Sequence, residues 1–471
     1  MSVDNQIQFF EKQERIYPKR VTGKFRNLKW IIMIITLGIY YLTPFIRWDR
    51  GPNAPDQAVL IDLERARAYW FWIEIWPQEV YILTGILILA AIALFFVTSL
   101  FGRVWCGYFC FQTVWTDLFV WVERIVQGDR VKRKRLREGP WTFEKTYKLA
   151  ITHLIWLAIA WWTAGSFVLY FNDAPTLVMS FFKFDVSPTV LGFMFGLTFS
   201  TYLMAGFARE QVCTFMCPYA RFQSAMFDKD TLIIAYDETR GEERGKHKKG
   251  DTWEGRGHCV DCTACVQVCP MGIDIRDGLQ MECIACGLCV DACNNIMDKL
   301  DLPQGLIRYD TENRMDELRV GKEPSKLHIM RPRTIYYTCI LTVVGSLMLL
   351  ALLSRAPLDM SVLHDRNPLF VKLSDGSFRN GYDVKILNKT HEDKTYALTV
   401  HGIEGAEVIV KSAGDVKAEK LFVPADSVGS YHILIKADVD AGPRRPVTLK
   451  LEDYASDIED SYESIFVTQR D

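Results

Sequence analysis

Residues 259–293 read Cys259-Val-Asp-Cys262-Thr-Ala-Cys265-Val-Gln-Val-Cys269-Pro270, a short connector, then Cys283-Ile-Ala-Cys286-Gly-Leu-Cys289-Val-Asp-Ala-Cys293. Two consecutive C-x2-C-x2-C-x3-C runs are the spacing by which bacterial-type ferredoxins hold two 4Fe–4S clusters. Three close cysteines reach three irons of one cubane, and the fourth turns away to the partner cluster. The spacing therefore assigns Cys259, Cys262, Cys265 and Cys293 to one cluster, and Cys269, Cys283, Cys286 and Cys289 to the other. Structural zinc would prefer paired C-x2-C knuckles set well apart, and a disulfide framework would not pack eight thiols into one short stretch. Such a set of reduced thiols belongs on the cytoplasmic side, where clusters are assembled.

Outside this stretch, 49% hydrophobic residues coexist with 24% charged ones at a net charge of −2. Apolar blocks must be segregated from polar ones, and no domain is basic enough to suggest nucleic acid. Five stretches, 28–46, 80–101, 149–171, 189–207 and 334–353, are long and apolar enough to cross a bilayer. Lys19, Arg20, Lys24, Arg26 and Lys29 before the first, and the basic residues from Arg103 to Lys145 after the second, place those ends inside. The cysteine-rich stretch then lies in a cytoplasmic insertion, entered through a flexible Gly-, Glu- and Lys-rich approach at 239–257. The polar start, 1–26, lacks the apolar core of a cleavable signal peptide. Residues 47–78 read as a mixed outer segment ending in an interfacial aromatic belt, Tyr69 to Trp76, with an ion or partner site on Glu74 and Glu79 as the less favoured reading. Cys339, alone in apolar surroundings, reads as a buried packing thiol.

Past Pro357 the pattern changes. Runs at 382–387, 396–403, 406–410, 421–423, 431–437, 447–451 and 464–467, separated by Gly, Pro, Asp and Asn, predict about seven strands and an immunoglobulin-like sandwich without a cysteine. The expected architecture is a multi-domain membrane protein. It comprises a cytoplasmic N-terminal segment (1–27), four transmembrane helices with loops (28–208), an inserted two-cluster ferredoxin-like α+β module (209–333), a fifth transmembrane helix (334–353) and a C-terminal all-β sandwich outside (357–471).

A second signal is a matched pair of C-x3-C sites: Trp105-Cys106-Gly-Tyr-Phe-Cys110 after the second span and Val212-Cys213-Thr-Phe-Met-Cys217-Pro218 after the fourth. If each were helical, the thiols at i and i+4 would share a face, and four sulfurs could converge at one membrane edge. Soft thiolates select Cu(I), zinc or iron–sulfur iron, so a functional metal or redox site is favoured over packing cysteines or structural zinc. Met194, Met204 and Met216 could add thioethers, although helix packing is the simpler reading of the first two. His153 reads as a packing residue, since no second histidine stands at a matching depth for haem.

The motifs Arg103-Val-Trp-Cys-Gly-Tyr, Gln112-Thr-Val-Trp-Thr-Asp, Glu210-Gln-Val-Cys, Cys217-Pro-Tyr-Ala-Arg-Phe-Gln-Ser-Ala-Met-Phe-Asp-Lys-Asp-Thr and Gly272-Ile-Asp-Ile-Arg-Asp-Gly-Leu-Gln resemble the CcoG/FixG family of cytochrome c oxidase accessory proteins over nearly the whole chain. The resemblance implies an inner-membrane iron–sulfur protein that reduces Cu(II) to Cu(I) for assembly of cbb3-type oxidase, with copper as substrate on Cys106, Cys110, Cys213 and Cys217. It further implies a cytoplasmic electron donor, oxidase assembly factors and a copper transporter or chaperone as partners, with membrane lipid around the spans and a homodimer allowed. Phe111 departs from the Pro that related motifs carry after the second cysteine, which would let the helix continue through Cys110. Rival readings are a quinol-oxidising electron-transfer subunit and a non-catalytic assembly scaffold. No Ser/His/Asp triad, phosphate loop or dinucleotide fingerprint points to other chemistry.

Overall fold

The computed structural model describes residues 15–51, 54–247, 253–411, 417–438, 444–456 and 458–468. The chain divides into two units, Met1–Ile46 with Ala58–Leu349, and Arg47–Gln57 with Leu350–Asp471.

In the first unit, α1 (Lys24–Leu42) is followed by strands β1 (Val59–Asp62), β2 (Arg67–Trp70) and β3 (Ile73–Ile75), which form an antiparallel sheet. Next come α2 (Val80–Phe101), α3 (Val104–Tyr108), α4 (Phe111–Gln127), α5 (Arg130–Glu138), α6 (Phe143–Val168), α7 (Ala174–Phe182) and α8 (Pro188–Leu203). Beyond α8 the chain passes through two five-residue π-helical turns, Met204–Ala208 and Val212–Met216, with α9 (Arg209–Gln211) between them and α10 (Pro218–Ala225) after. The ferredoxin-like part holds β4 (Ile233–Tyr236), α11 (Glu238–Gly241), α12 (Ala264–Val268), α13 (Leu288–Lys299), β5 (Ile307–Asp310) and α14 (Glu312–Arg319), with β4 and β5 paired antiparallel. Helix α15 (Pro332–Leu353) closes the series.

Five helical runs are long and apolar enough to span a membrane: Lys24–Phe45, Pro77–Phe101, Phe143–Val168, Pro188–Met216 and Pro332–Leu353. They fall on the five expected stretches. The fourth continues past its expected end at 207 because Arg209 need not face water: its guanidinium is buried and paired with Glu123 of α4 at 2.7 Å. One expectation, that for Cys339, is corrected, and two segments carry structure the sequence did not show. The aromatic run Tyr69 to Trp76 lies on and beside a small sheet, with Tyr69 and Trp76 buried and Trp70 and Trp72 exposed. The basic segment between the second and third spans carries the helices α3, α4 and α5. Cys339 is exposed, because the apolar flanks of α15 pack little protein against themselves and face outward. Of the expected flexible approach, residues 248–252 lie outside the described residues, and its start carries α11.

Residues 15–26 tie the ferredoxin-like part to the spanning helices, and two buried ion-pair groups tie α4 to its neighbours. Lys19 donates its backbone N–H to the Gln267 carbonyl at 2.8 Å, and the Asp291 carboxylate of α13 accepts the N–H groups of Phe25 and Arg26 at 3.2 and 2.7 Å. These are orphan donors at the start of α1, where a carboxylate also meets the positive end of the helix dipole. Glu123 then gathers Arg209, Arg133 and Arg15 at 2.7, 2.8 and 3.2 Å, and Asp117 takes Arg26 at 2.8 Å. Burial works to raise both carboxyls, but the surrounding cations hold them below the usual range.

The second unit is a two-sheet sandwich. One sheet has β6 (Leu358–His364), β8 (Phe378–Asn388), β10 (Glu407–Lys411) and β12 (Ser427–Ala437) in the order β10-β12-β8-β6, with β7 (Val371–Lys372) also on β8. The other has β11 (Leu421–Val423), β9 (Lys394–His401), β13 (Arg444–Asp453) and β14 (Glu459–Val467) in the order β11-β9-β13-β14. The seven expected runs lie on seven of these strands; β6 and β7 were not anticipated. Alternate residues such as Leu358, Met360 and Val362, or Val447, Leu449 and Leu451, point into one apolar core. Asn380 is buried at 0% exposure and exchanges two 2.9 Å hydrogen bonds with the backbone of Val467, clasping β8 to β14 across the sheets. Replacing it, Asn380→Ala, leaves a buried N–H and C=O without partners, at about 1–3 kcal/mol for each such group. The expected result is a lower urea midpoint for the isolated 350–471 segment with an unchanged slope; an unchanged midpoint would show that the clasp contributes nothing.

Candidate functional site

The two cysteine runs fold into two cavities. Cys259, Cys262, Cys265 and Cys293 line one, with Met297, Leu306 and Ile307 in its wall. Cys269, Cys283, Cys286 and Cys289 line the other, with Ile234, Ile275 and Ile284, and Cys265 also reaches it. In each run the fourth cysteine thus lies across from its own run, as the spacing requires. Residues in the left-handed region turn the loops between the thiols: Asp261, Thr263 and Ala285 with φ of 51°, 55° and 50°, and Gly287 with φ of 73°. At Gly287 a Cβ would stand 2.6 Å from the Phe25 ring, so the close seat of α1 also requires glycine there.

These residues fit iron–sulfur clusters by the chemistry of their donors. All thirteen cysteines are free thiols, and neither cavity wall contains a carboxylate. Burial pushes the thiols of Cys265 and Cys283 up to about 11, and those of Cys269 and Cys293 up to about 12. They stay protonated unless a metal displaces the proton, so loading is coupled to deprotonation. Backbone N–H groups of Met271 and Ile273 point at Cys269, that of Ala285 at Cys283 and that of Ile307 at Cys293, ready to bond a thiolate sulfur.

The two C-x3-C motifs share one local design, and it is not a continuous helix. Cys106 lies in α3 and Cys213 in a π-helical turn, but Cys110 and Cys217 are extended, with φ/ψ of −60°/126° and −79°/111°. Each second cysteine donates its N–H five residues back, Cys110 to Trp105 at 2.9 Å and Cys217 to Val212 at 2.8 Å, and then caps the next helix, α4 or α10. The helix therefore breaks at Cys110 despite Phe111, correcting the expectation that it would run on. The N1 position has no intrahelical partner for its N–H, so proline suits it without being needed. The thiols lie within electrostatic reach of one another, Cys106 of Cys110 and Cys217, and Cys213 of all three, but among the described residues no three of their sulfurs stand within 4.8 Å of one another. Burial first, then these neighbours, raise the Cys106 thiol to about 11, opposed by Arg103.

The Cys106 motif packs directly on the second cysteine cavity. A Cβ on Gly107 would stand 2.6 Å from the carbonyl oxygen of Ile284 and 3.1 Å from Cα of Cys286. Tyr108 donates its hydroxyl to the Cys286 carbonyl at 3.0 Å, and Cys106 and Cys286 share one buried apolar cluster with Ile284 and Leu288. Gln223 Oε1 accepts from Cys106 Sγ and from Arg103 Nε, each at 3.1 Å, and Arg103 Nη1 donates to the Met281 carbonyl. Sequence reasoning missed Arg103, Tyr108 and Gln223. All three stand in quoted motifs, Arg103 and Tyr108 beside Cys106 and Gln223 six residues after Cys217, but nothing local marks Gln223 as a partner of Cys106.

The remaining candidates are placed elsewhere. His153 hydrogen-bonds Tyr202 at 3.0 Å within an aromatic group that includes Trp156 and Phe207. Met194 is buried beside Gly165, Met204 accepts from Ser200, and Met216 is exposed next to Cys217. Glu79 accepts the Trp76 N–H at 3.2 Å, and Glu74 lies opposite Tyr69 in the β2–β3 pair.

Residues 208–312 match a 4Fe-4S dicluster domain, residues 83–133 a 4Fe-4S binding domain, and residues 348–469 the IG-like fold at the C-terminus of FixG, described as a putative oxidoreductase. The nitrogen fixation protein FixG of Rhizobium meliloti is 45% identical over 97% of this chain and 93% of its own length. Protein RdxB of Cereibacter sphaeroides is 47% identical over 88% of this chain and 90% of its own. A crystal structure of a FixG-related protein from Vibrio parahaemolyticus covers 25% of this chain and all of its own at 24% identity and a TM-score of 0.22. With such identity along nearly its whole length, and with cysteine cavities fitted to two cubanes, the chain belongs to the FixG family of iron–sulfur electron-transfer proteins.

Proposed function

We propose that this protein reduces Cu(II) to Cu(I) at Cys106, Cys110, Cys213 and Cys217 in support of cbb3-type oxidase assembly. The observation that supports the reading is the seat of Gly107 and Tyr108 on the Ile284–Cys286 loop, with the Cys106 motif against one of the two cysteine cavities. When bound, the clusters supply single electrons. The chain's own part is to hold them with Cys259, Cys262, Cys265 and Cys293, where Cys262 stays exposed, and with Cys269, Cys283, Cys286 and Cys289, in mostly apolar surroundings. At the thiol pairs each Cu(II) takes up one electron, and soft sulfur ligands favour the Cu(I) formed. The ultimate electron source is a low-potential cytoplasmic donor. The basic residues flanking the spans support an inner-membrane topology with the ferredoxin-like part in the cytoplasm and the sandwich in the periplasm, where it is free to dock an oxidase assembly factor or copper chaperone.

A second reading rests on the match of residues 83–133 to a 4Fe-4S binding domain: the four thiols would then take iron rather than copper. Metal analysis separates them, since a third cubane raises iron by about half over a two-cluster protein.

With the clusters pre-reduced under anaerobic conditions, the purified protein is expected to convert Cu(II) to Cu(I), and Cys262→Ser and a Cys106→Ser/Cys213→Ser variant are expected to lose most of that activity. Cu(I) formation no faster than in the cluster-free control would sink the proposal. Gly107→Val drives a side chain into the Ile284 carbonyl and is expected to cut both iron content and copper reduction. Gly192→Ala, where no atom lies within 4 Å of the new Cβ, is expected to leave both intact. Equal behaviour of the two variants would show that the contact is incidental.

A further inference from the structure

Arg103 is buried, with 3% of its surface exposed, and among the described residues no carboxylate lies within ion-pair distance of it. Of the other deeply buried cations of this unit, Arg209 and Arg133 are matched by Glu123, Arg26 and Lys29 by Asp117, and Arg331 by Asp228, while Lys145 is held by the Arg137 and Gly139 carbonyls, away from both cysteine cavities. An unpaired buried charge is costly, so a structure that keeps one has its counter-charge elsewhere. The guanidinium of Arg103 points at two polar atoms, the Met281 carbonyl and Gln223 Oε1. Met281 lies two residues before Cys283, and Gln223 Oε1 also receives the Cys106 thiol. The cation therefore stands between a cysteine of the second cavity and a thiol of the C-x3-C site.

The first cavity has a different balance. Its guanidinium, Arg276, is bracketed by Asp274 and Asp261, each at 2.6 Å. The two carboxylates neutralise that cation, so it offers its cluster less than the uncompensated charge of Arg103 offers the other. Reduction adds one negative charge to a cluster, so an uncompensated cation favours it and a neutralised one favours it less.

We propose that Arg103 is a positioning residue that supplies the counter-charge of the cluster on Cys269, Cys283, Cys286 and Cys289, making it the higher-potential cluster of the two. The inference rests on the cluster ligation given above and does not depend on copper. It gives the chain a built-in direction, with the electron settling on the cluster that adjoins Gly107 and Cys106.

The test is an equilibrium redox titration of the full-length, cluster-loaded protein, followed by electron paramagnetic resonance, with iron and sulfide content measured alongside. Wild type is expected to show two separate midpoint potentials. Arg103→Gln should lower the higher one and leave the other in place, while Arg103→Lys, which keeps the charge, should stay much nearer to wild type. Asp274→Asn should raise the lower potential only. An Arg103→Gln protein with full iron content and unmoved potentials overturns the proposal. If Arg103→Gln sheds iron, the remaining arms decide: two coincident wild-type potentials, or an Asp274→Asn effect on the higher one, overturn it, and separate potentials with the lower one raised sustain it. Because no copper is added, a protein that fails to reduce copper but shows these shifts keeps this inference and loses only the copper reading.

Discussion

At Gly107 the backbone of a membrane-edge motif lies on the backbone of a cysteine loop, with room for a hydrogen atom and nothing larger. Everything chemical in the first unit depends on that approach. A larger residue there would push the Ile284–Cys286 loop away from α3 and lengthen the gap between the second cavity and the C-x3-C thiols. Tyr108 fixes the same approach from the other side through the Cys286 carbonyl, so the contact is set in register as well as in distance.

That approach is held in place by charge. Glu123 and Asp117 project from α4, the helix that Cys110 caps, and between them they collect cations from residues 15–29, from α5 and from the end of the fourth span. Buried ion pairs contribute little net stability when set against apolar replacements, but losing one partner strands the other. They act here as locators, fixing how α4 meets the first helix and the π-helical run that carries Cys213. Asp291 extends the same logic to the ferredoxin-like part by capping α1 from α13.

What the sequence disclosed was whatever is written locally. The cysteine spacing, the five apolar runs and the alternation in strands such as β9 and β13 each depend on neighbours within a few residues. The strand β6 shows the same alternation, Leu358, Met360 and Val362, and fell inside the expected sandwich without being singled out as a strand. The sheet β1–β3 was hidden because its aromatic residues look alike whether they face inward or outward. The break at Cys110 was missed because proline was taken as its cause, whereas the five-residue-back hydrogen bond of each second cysteine does the work in both motifs. The isolation of Arg103 could not be read at all, since the lack of a carboxylate partner is a fact about distant parts of the chain.

The sandwich, by contrast, contains no cysteine, and its interior is closed by packed side chains and by the Asn380 clasp. It can therefore mature without oxidative folding catalysts and is unaffected by the thiol–disulfide balance around it. It also offers a thiophilic ion no sulfur apart from the thioether of Met360, which is sealed in the core. A cuprous ion near this unit would meet no thiol trap, and the thiols of the whole chain are confined to the other unit.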